Sequence, residues 1–320
     1  MRTQPIPSSG NTASSGRPAR GSSEAGVSSH EGHVSVLSLE SLEALDIQPR
    51  DVVVDATLGG AGHAKLIADQ LGKDGVLVGF DLDAAAIARA TRALTDAKPR
   101  TVFVQGNFRT MGEALLAEEL VPTKVFFDLG WSSYQLTGRG MSFLADEPLD
   151  MRYGEGILTA KAIVNAWEES SLADVIYGWG EDRFARRIAK AIVVAREHRP
   201  IETTRELAEI IRSAVPAPAR RGKIHPATKT FQALRIAVND ELGSLESALD
   251  AAWRILAPHG RIAVISFHSL EDRIVKQRFA AWEKKGEGRR LTKKPVIPQQ
   301  EETRMNPRAR SAKLRAIEKI

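Results

Sequence analysis

Three aspartates each follow a short hydrophobic stretch that has the length and composition of a buried β-strand. The stretches and their aspartates are Val52–Val54 with Asp55, Val76–Phe80 with Asp81, and Lys124–Phe127 with Asp128. A carboxylate accepts hydrogen bonds from hydroxyl and amino groups and attracts cations. If the strands run parallel, their carboxyl ends meet at one edge of the sheet, where ligands bind in folds of this kind. We therefore expect the three carboxylates to surround one polar ligand.

Asp55 opens a glycine-rich turn, A-T-L-G-G-A-G-H, that leads from the first strand into a helical pattern at His63. A helix that begins after such a turn presents free backbone N–H groups to a ligand. Dinucleotide sites use G-x-G-x-x-G, and the third glycine is missing here. A carboxylate at Asp55 would repel a pyrophosphate and suit a cationic cofactor, so the turn favours S-adenosylmethionine. A dinucleotide site and a purely structural turn remain open.

Asp81 and Phe108 are the residues that could hold an adenosine. Asp81 lies 22 positions after Gly59, and a carboxylate at this point of a doubly wound sheet accepts both ribose hydroxyls. The alternative is an aspartate in a surface loop. Asp83 is placed to cap the next helix, which would leave Asp81 for the ligand. Phe108 offers a flat face for adenine, although a core position is equally consistent with the pattern.

The stretch Lys124–Phe127 leads into D-L-G-W, residues 128–131, a motif that predicts catalytic residues. An acidic residue followed three positions later by an aromatic ring is typical of enzymes that methylate the exocyclic amine of a base. That amine is a poor nucleophile, so an acceptor must hold it while a ring stacks the base. Asp128 and Trp131 are therefore candidate catalytic residues, with plain packing as the alternative for Trp131. We expect the polar residues Arg139 and 146–152 to lie beside this site.

A further strand-like stretch lies at Thr101–Val104. Strand-like and helical stretches thus alternate between residues 52 and 128 with short links, which predicts a doubly wound parallel α/β sheet. Helical patterns without strands follow at 159–169, 172–178, 182–198 and 204–215, before helices from 227 and at 242–256 and a strand at 261–266. This order predicts an all-helical domain inserted into the sheet domain. The expected boundaries are a disordered tail at 1–32, the sheet domain at 33–138 and 226–284, the insertion at 139–225, and a basic C-terminal segment at 285–320.

Two local signals mark helix starts. Thr203 and Glu206 have the spacing of a capping box, and Ser269 with Asp272 is expected to cap the helix after the last strand. His268 could act as a base, but a hydrogen-bonded structural role is favoured.

The chain is basic, and its charge is uneven. Its formal net charge is +5, and the residues from 284 to 320 hold twelve Lys or Arg against four Glu. Such a segment indicates a polyanionic partner, most simply nucleic acid, unless it is only a solvated basic tail.

Several kinds of site are excluded or disfavoured. The chain has no cysteine, which excludes disulfides, thiolate catalysis and cysteine-based zinc sites, and which fits a reducing compartment. The seven histidines lack metal-ligand spacing, so no metal is expected. No apolar run approaches the roughly 20 residues of a membrane span. Residues 1 to about 30 are rich in Ser, Gly and Pro and are predicted to be disordered, with an organellar targeting signal as the alternative.

Long motifs resemble one known family. They are D-A-T-L-G-G-A-G-H, D-L-G-W-S-S-Y-Q-L, R-G-M-S-F, P-L-D-M-R, H-P-A-T-K-T-F-Q-A-L-R-I, I-S-F-H-S-L-E-D-R-I-V-K and N-P-R-A-R-S-A-K-L-R, and they extend from about His33 to Arg315. The chain resembles the ribosomal RNA small-subunit methyltransferase H family, also called MraW. The resemblance implies a class I S-adenosylmethionine-dependent methyltransferase fold with a Rossmann-like sheet, whose helical insertion is assigned to RNA recognition.

The resemblance also implies an activity and a set of residues. The activity is methylation of the 4-amino group of a cytidine in 16S rRNA of the small ribosomal subunit, in the cytoplasm. The cofactor residues carried over by motif are Ala61, Gly62, His63, Asp81, Phe108, Asp128 and Gln135. Family members mostly have Val at the position of Trp131, and often Gly at that of Ala61. A homodimer is left open. The rival functions are an enzyme acting on a different base, a non-catalytic RNA-binding assembly factor and a nicotinamide oxidoreductase.

Overall fold

The computed structural model describes residues 35–130, 138–154, 156–222 and 224–320. Its centre is a seven-stranded sheet. The strands are β1 (Val52–Asp55), β2 (Val76–Asp81), β3 (Arg100–Gln105), β4 (Lys124–Asp128), β5 (Arg261–Ser266), β6 (Gly288–Arg290) and β7 (Lys313–Lys319). They lie in the order β3-β2-β1-β4-β5-β7-β6, with β1 to β5 parallel and β7 antiparallel to both of its neighbours. The doubly wound α/β fold predicted from the alternating pattern is confirmed.

Helices cover the sheet and form the insertion. Those that pack around the sheet are α1 (Ser38–Leu45), α2 (Gly62–Gln70), α3 (Ala84–Ala93), α4 (Met111–Ala117), α11 (Glu241–Ile255) and α12 (Ser269–Lys284), and a short helix, α13 (Gln300–Met305), precedes β7. Those of the insertion are α5 (Ala160–Ala166), α6 (Glu169–Gly178), α7 (Ala185–His198), α8 (Thr204–Ala214) and α9 (Ala217–Arg220), followed by α10 (Ala227–Asn239). The capping box predicted at Thr203 and Glu206 is present at the start of α8.

Three clusters of buried side chains hold these elements together. One face of the sheet packs against α4, α11 and α12, and the other packs against α1, α2 and α3. The third cluster is the core of the insertion, and it includes Ala227, Phe231 and Leu234 from α10. α10 therefore buries its apolar side within the insertion, beyond the boundary that the sequence placed after residue 225.

The C-terminal segment also differs from expectation. Residues 313–319 form β7, which lies between β5 and β6 and pairs with β5 along its length. Leu314 and Ala316 are buried on one face and Ile317 on the other, while Arg315 pairs with Asp272 at 2.6 Å. A solvated basic tail is thus wrong for this stretch, and the sheet domain extends past residue 284. The high density of Lys and Arg concealed a strand whose hydrophobic residues alternate with paired charges.

No helix in the described ranges combines the length and the apolar composition that crossing a bilayer requires.

Candidate functional site

The strand order reverses between β1 and β4, and this fixes the location of the site. From β1 the chain builds outward through β2 and β3, and it then returns to place β4 on the other side of β1. Connecting helices diverge at such a point and leave a crevice beyond the carboxyl ends of the two strands. Asp55 and Asp128 are the last residues of β1 and β4, so both flank the crevice, and Asp81 ends the adjacent strand β2.

The glycine-rich turn closes one side of the crevice. Gly59 and Ala61 both have positive φ, 49° and 63°, and α2 starts at Gly62 without a side-chain cap. The N–H groups of its first turn are therefore available to a ligand, as the sequence predicted. Glycine is the usual residue at positive φ, because an L side chain costs about 1–2 kcal/mol there. Ala61 keeps that conformation while its methyl group is fully buried.

Asp81 ties the glycine turn to the end of β2. Its Oδ2 accepts a hydrogen bond from the Gly59 N–H at 2.9 Å, and its Oδ1 accepts one from the Asp83 N–H at 2.8 Å. A surface-loop aspartate is thus the wrong interpretation. Burial raises the pKa of Asp81, while these backbone hydrogen bonds lower it, and burial is the larger effect. Each carboxylate oxygen can accept a second hydrogen bond, so Asp81 can also receive ribose hydroxyls. Asp83 caps α3, as predicted.

His63 joins the glycine turn to the end of β4. Its Nδ1 lies 3.3 Å from Asp128 Oδ2, and its Nε2 lies 3.0 Å from the carbonyl oxygen of Val36. Both ring nitrogens face acceptors, so both can be satisfied only when each carries a proton. Burial opposes that protonation, but Asp128 and Asp55 outweigh it and raise the pKa of His63. The sequence marked His63 through its motif, but the contact with Asp128 arises only in the folded chain.

Asp55 and Asp128 each leave one buried oxygen without a hydrogen-bond partner among the described residues. These atoms are Asp55 Oδ2 and Asp128 Oδ1. The other oxygen of Asp55 accepts from the Thr57 N–H, and the Thr57 hydroxyl accepts from the Asp128 N–H at 2.7 Å. Burial raises the pKa of Asp55 to about 6, although the charge on His63 opposes this.

An unpaired buried carboxylate oxygen is costly unless a ligand satisfies it. The pair of acceptors at the crevice therefore suits a ligand that brings N–H donors and positive charge. S-adenosylmethionine has both, so the residues present fit the cofactor that the glycine turn favoured.

Phe108 lies in a short 3-10 turn, Phe108–Thr110, that follows β3. Its ring makes an edge-to-face contact with Phe127, with centroids 5.8 Å apart, and it packs at the border of the core. The two interpretations of Phe108 are compatible, since a half-buried ring packs on one side and can meet a ligand on the other. Trp131 and Gln135, predicted from the motif after β4, lie outside the described residues.

A pocket of about 360 Å³ adjoins the end of β2. The residues that line it come from the start of α3, from β3 and from the first part of the insertion: Leu82, Asp83, Ala84, Gln105, Arg139, Asp150, Arg152, Gly154 and Gly156. Arg152 forms a two-point ion pair with Asp150 and lowers the pKa of Asp150. Arg139 and, from the stretch 146–152, Asp150 and Arg152 line this pocket at the end of β2; their position beside the target base stays a prediction.

His268 has a structural role rather than the position of a free base. It is the N-cap of α12, where Glu271 completes a capping box, so the predicted cap by Ser269 with Asp272 is wrong. Asp272 instead pairs with Arg315. His268, Glu271 and Glu241 have ligand atoms within 4.8 Å of one another. Arg235 already binds both oxygens of Glu241 at 2.8 and 2.9 Å. Its guanidinium therefore supplies the positive charge that a metal ion would bring to this cluster.

The sheet order, the glycine turn and the carboxylates at the switch point define a class I S-adenosylmethionine-dependent methyltransferase fold. Comparison with known proteins is more specific. The chain belongs to the MraW methylase family, whose model matches residues 30–320.

Relatives that match over 90% of this chain carry the name ribosomal RNA small subunit methyltransferase H. The protein from Paenibacillus sp. (strain JDR-2) is 47% identical over 314 residues, which cover 90% of this chain and 99% of the relative. The protein from Heliobacterium modesticaldum is 47% identical over 309 residues, which cover 90% and 98%. Among solved structures, an rRNA methylase from Streptococcus thermophilus matches with a TM-score of 0.43 and 11% identity, over 88% of this chain and 93% of that one.

Proposed function

We propose that this protein transfers a methyl group from S-adenosylmethionine to the 4-amino group of a cytidine in 16S rRNA of the small ribosomal subunit. The names of the relatives support an rRNA substrate. The observation that carries the choice of an amine is the carboxylate of Asp128. One of its oxygens is held by His63, while the other is buried at the switch point with no partner among the described residues.

The cofactor would be held by groups from three strand ends. Asp81 would accept hydrogen bonds from the ribose hydroxyls, Phe108 would lie against the adenine, and the first turn of α2 with Asp55 would receive the polar amino-acid end. Ala61 and Gly62 allow the close approach of the backbone, and Gln135 is assigned from the family motif alone. When bound, S-adenosylmethionine supplies a methyl group that is activated by the adjacent sulfonium.

Asp128 has the central role in our mechanism. Its Oδ1 accepts a hydrogen bond from the target amine, so the nitrogen lone pair is turned toward the methyl carbon, while His63 keeps the carboxylate in place. Bound S-adenosylmethionine would supply the methyl group and leave as the neutral thioether, and the methylated amine would release one proton to solvent. Most of the acceleration comes from this placement of the reactants. The chain has no cysteine, so no thiolate intermediate is formed. From the motif after β4, we assign Trp131 to stack against the target base.

Methyl transfer to small subunits that lack the modification tests this proposal. Radiolabelled cofactor, followed by mass spectrometry of the nucleosides, should yield 4-N-methylcytidine. A product of 6-N-methyladenosine would refute the choice of base. A protein that binds RNA but shows no calorimetric binding of S-adenosylmethionine would be a non-catalytic assembly factor instead. We place the reaction in the cytoplasm, and we assign the recognition of the RNA to the helical insertion.

A further inference from the structure

The helical insertion has almost no net charge, yet its cations are segregated. Residues 139–225 contain fourteen Lys or Arg and thirteen Asp or Glu. Four of the cations fall within residues 183–190, a stretch without any acidic residue. They are Arg183, Arg186, Arg187 and Lys190, and we call them the basic row.

The basic row lies on one side of α7 and of the turn before it. The opposite side is buried in the core of the insertion, through Ala185, Ile188, Ala189 and Ile192. All four cations are exposed. Their spacings of three and four residues place them one above the other along the helix. Four like charges at these distances repel one another, so the row is destabilising unless a partner of opposite charge covers it.

Three other exposed cations of the insertion have acidic partners. Lys161 pairs with Glu202, Arg199 with Glu206 and Arg212 with Glu209. For the basic row, by contrast, the described parts of the chain provide no ion pair; Arg183 only lies over the ring of Phe184, 4.7 Å from its centroid. The row is thus not a face of balanced, solvated ion pairs.

The basic row begins next to the crevice. Just before it, Glu181 binds the first turn of α12: its Oε2 accepts from the Ser269 hydroxyl at 2.6 Å, and its Oε1 lies 2.8 Å from Arg273. Ser269 follows the end of β5 closely, and Phe267 occupies the space beside Gly130, where an added Cβ would meet its ring at 3.2 Å. Gly130 is two residues from Asp128. A short series of contacts therefore connects the reacting carboxylate to the start of the row.

We propose that the basic row binds successive phosphates of the RNA strand next to the target nucleotide and so guides that strand into the crevice. A polyanion matches an exposed row of cations without internal partners, and phosphate contacts position a strand without reading its sequence. Three of the four cations are exposed side chains on one rigid helix, which keeps their spacing fixed. The inference rests on the proposed function, since it names where that substrate is held.

Charge removal on α7 tests the proposal against a matched control. The test variant is Arg186→Ala, Arg187→Ala and Lys190→Ala combined. The control removes three exposed cations near the amino ends of the strands, at the opposite edge of the sheet: Lys73→Ala, Arg92→Ala and Lys98→Ala. Both variants change the net charge equally, so a general loss of attraction to RNA affects them alike. The substrate is the unmethylated small subunit, and a single-stranded RNA oligonucleotide serves for direct binding.

The test variant should bind RNA about 10- to 100-fold more weakly at moderate salt than the control, with KM raised and kcat retained. The slope of log affinity against log salt should fall by about 2, because each lost phosphate contact removes about 0.7 for a single strand. Calorimetric affinity for S-adenosylmethionine should match the wild type, which shows that the variant is folded. Equal RNA affinities and salt slopes for the two variants would overturn the assignment. A test variant that keeps its affinity for RNA but no longer binds an acidic protein of the small subunit would overturn it as well. Absence of methyl transfer by the wild-type protein would instead refute the proposed function.

Discussion

Two buried polar clusters lie near the carboxyl edge of the sheet, and they differ in how completely they are bonded. In the junction formed by Tyr153, Arg235, Asn239 and Glu241, Arg235 holds both oxygens of Glu241, and the Tyr153 hydroxyl donates to the same carboxylate. Asn239 accepts from the Tyr153 N–H and donates to the Met151 carbonyl. In the crevice, Asp55 and Asp128 each leave a buried oxygen without a partner among the described residues.

The two clusters have different roles, because the junction holds the fold together and the crevice is available to a ligand. The junction connects α10, which belongs to the insertion core, with α11, which packs on the sheet, and its bonds are made within the chain. The crevice instead holds acceptors whose cost is recovered only when a ligand binds. A buried charge is therefore not evidence of a site by itself; its unpaired atoms are.

Breaking the junction should have the largest effect on stability. Replacing Arg235 by Met leaves Glu241 buried without its counter-charge, and such changes cost about 3–5 kcal/mol. Urea denaturation followed by circular dichroism measures the loss. In the double variant Arg235→Met with Glu241→Met, the loss should be clearly smaller than in the single variant. Equal losses would mean that the lone charge is not what destabilises.

Changing the crevice should reduce turnover and leave the fold intact. Asp128→Asn keeps the shape of the side chain but removes its charge, and we expect kcat to fall about 100-fold, as for the loss of one well-placed polar group in an active site. Single-turnover methyl transfer at saturating cofactor measures this, with an unfolding midpoint close to that of the wild type. Full turnover in this variant would show that the carboxylate has no part in holding the amine.

The unpaired oxygens also predict a pH dependence of cofactor binding. Asp55, with its pKa raised to about 6, is mostly protonated at pH 5 and ionised at pH 7. A cationic ligand favours the ionised form, so affinity should rise up to about tenfold over this interval. The stability of the free protein depends on pH with the opposite sign. Because burial disfavours the ionised carboxylate, the stabilisation that protonated Asp55 contributes at low pH is lost as the pH rises toward 6.

Asp55→Asn should bind the cofactor more weakly and with a flatter pH profile by calorimetry. His63 and Asp81 also have raised pKa values and account for any dependence that remains. An unchanged profile in Asp55→Asn would assign the titration to those two groups.

The smallest effect is expected at Ala61. Glycine would relieve the strain of positive φ, about 1–2 kcal/mol, but it would lose a fully buried methyl group worth about 0.8 kcal/mol. Ala61→Gly should therefore be more stable by no more than about 1 kcal/mol, measured as a small rise in melting temperature. A clear loss of stability would show that packing in the turn outweighs its backbone strain.

Local pattern was enough for much of this protein. Runs of β-branched and aromatic residues predicted β1 to β5, and their bounds agree with the structure to within about a residue. Local sequence also predicted the terminal aspartates, the glycine turn, the cap at Asp83 and the capping box at Thr203, because each depends on residues close together in the chain. The family resemblance added His63 and Gln135 to the candidate site.

Only the tertiary structure decided how distant groups share their bonds. The contact of His63 with Asp128 joins the first turn of α2 to the end of β4, and the second ring nitrogen of His63 reaches the Val36 carbonyl. β7 is recognisable as a strand only beside β5, because its charged residues find partners such as Asp272 of α12. The assignment of α10 to the insertion likewise depends on which core buries its apolar side. Periodicity reports which face of an element is apolar, whereas the partner of that face, or of a buried charge, is set by long-range packing.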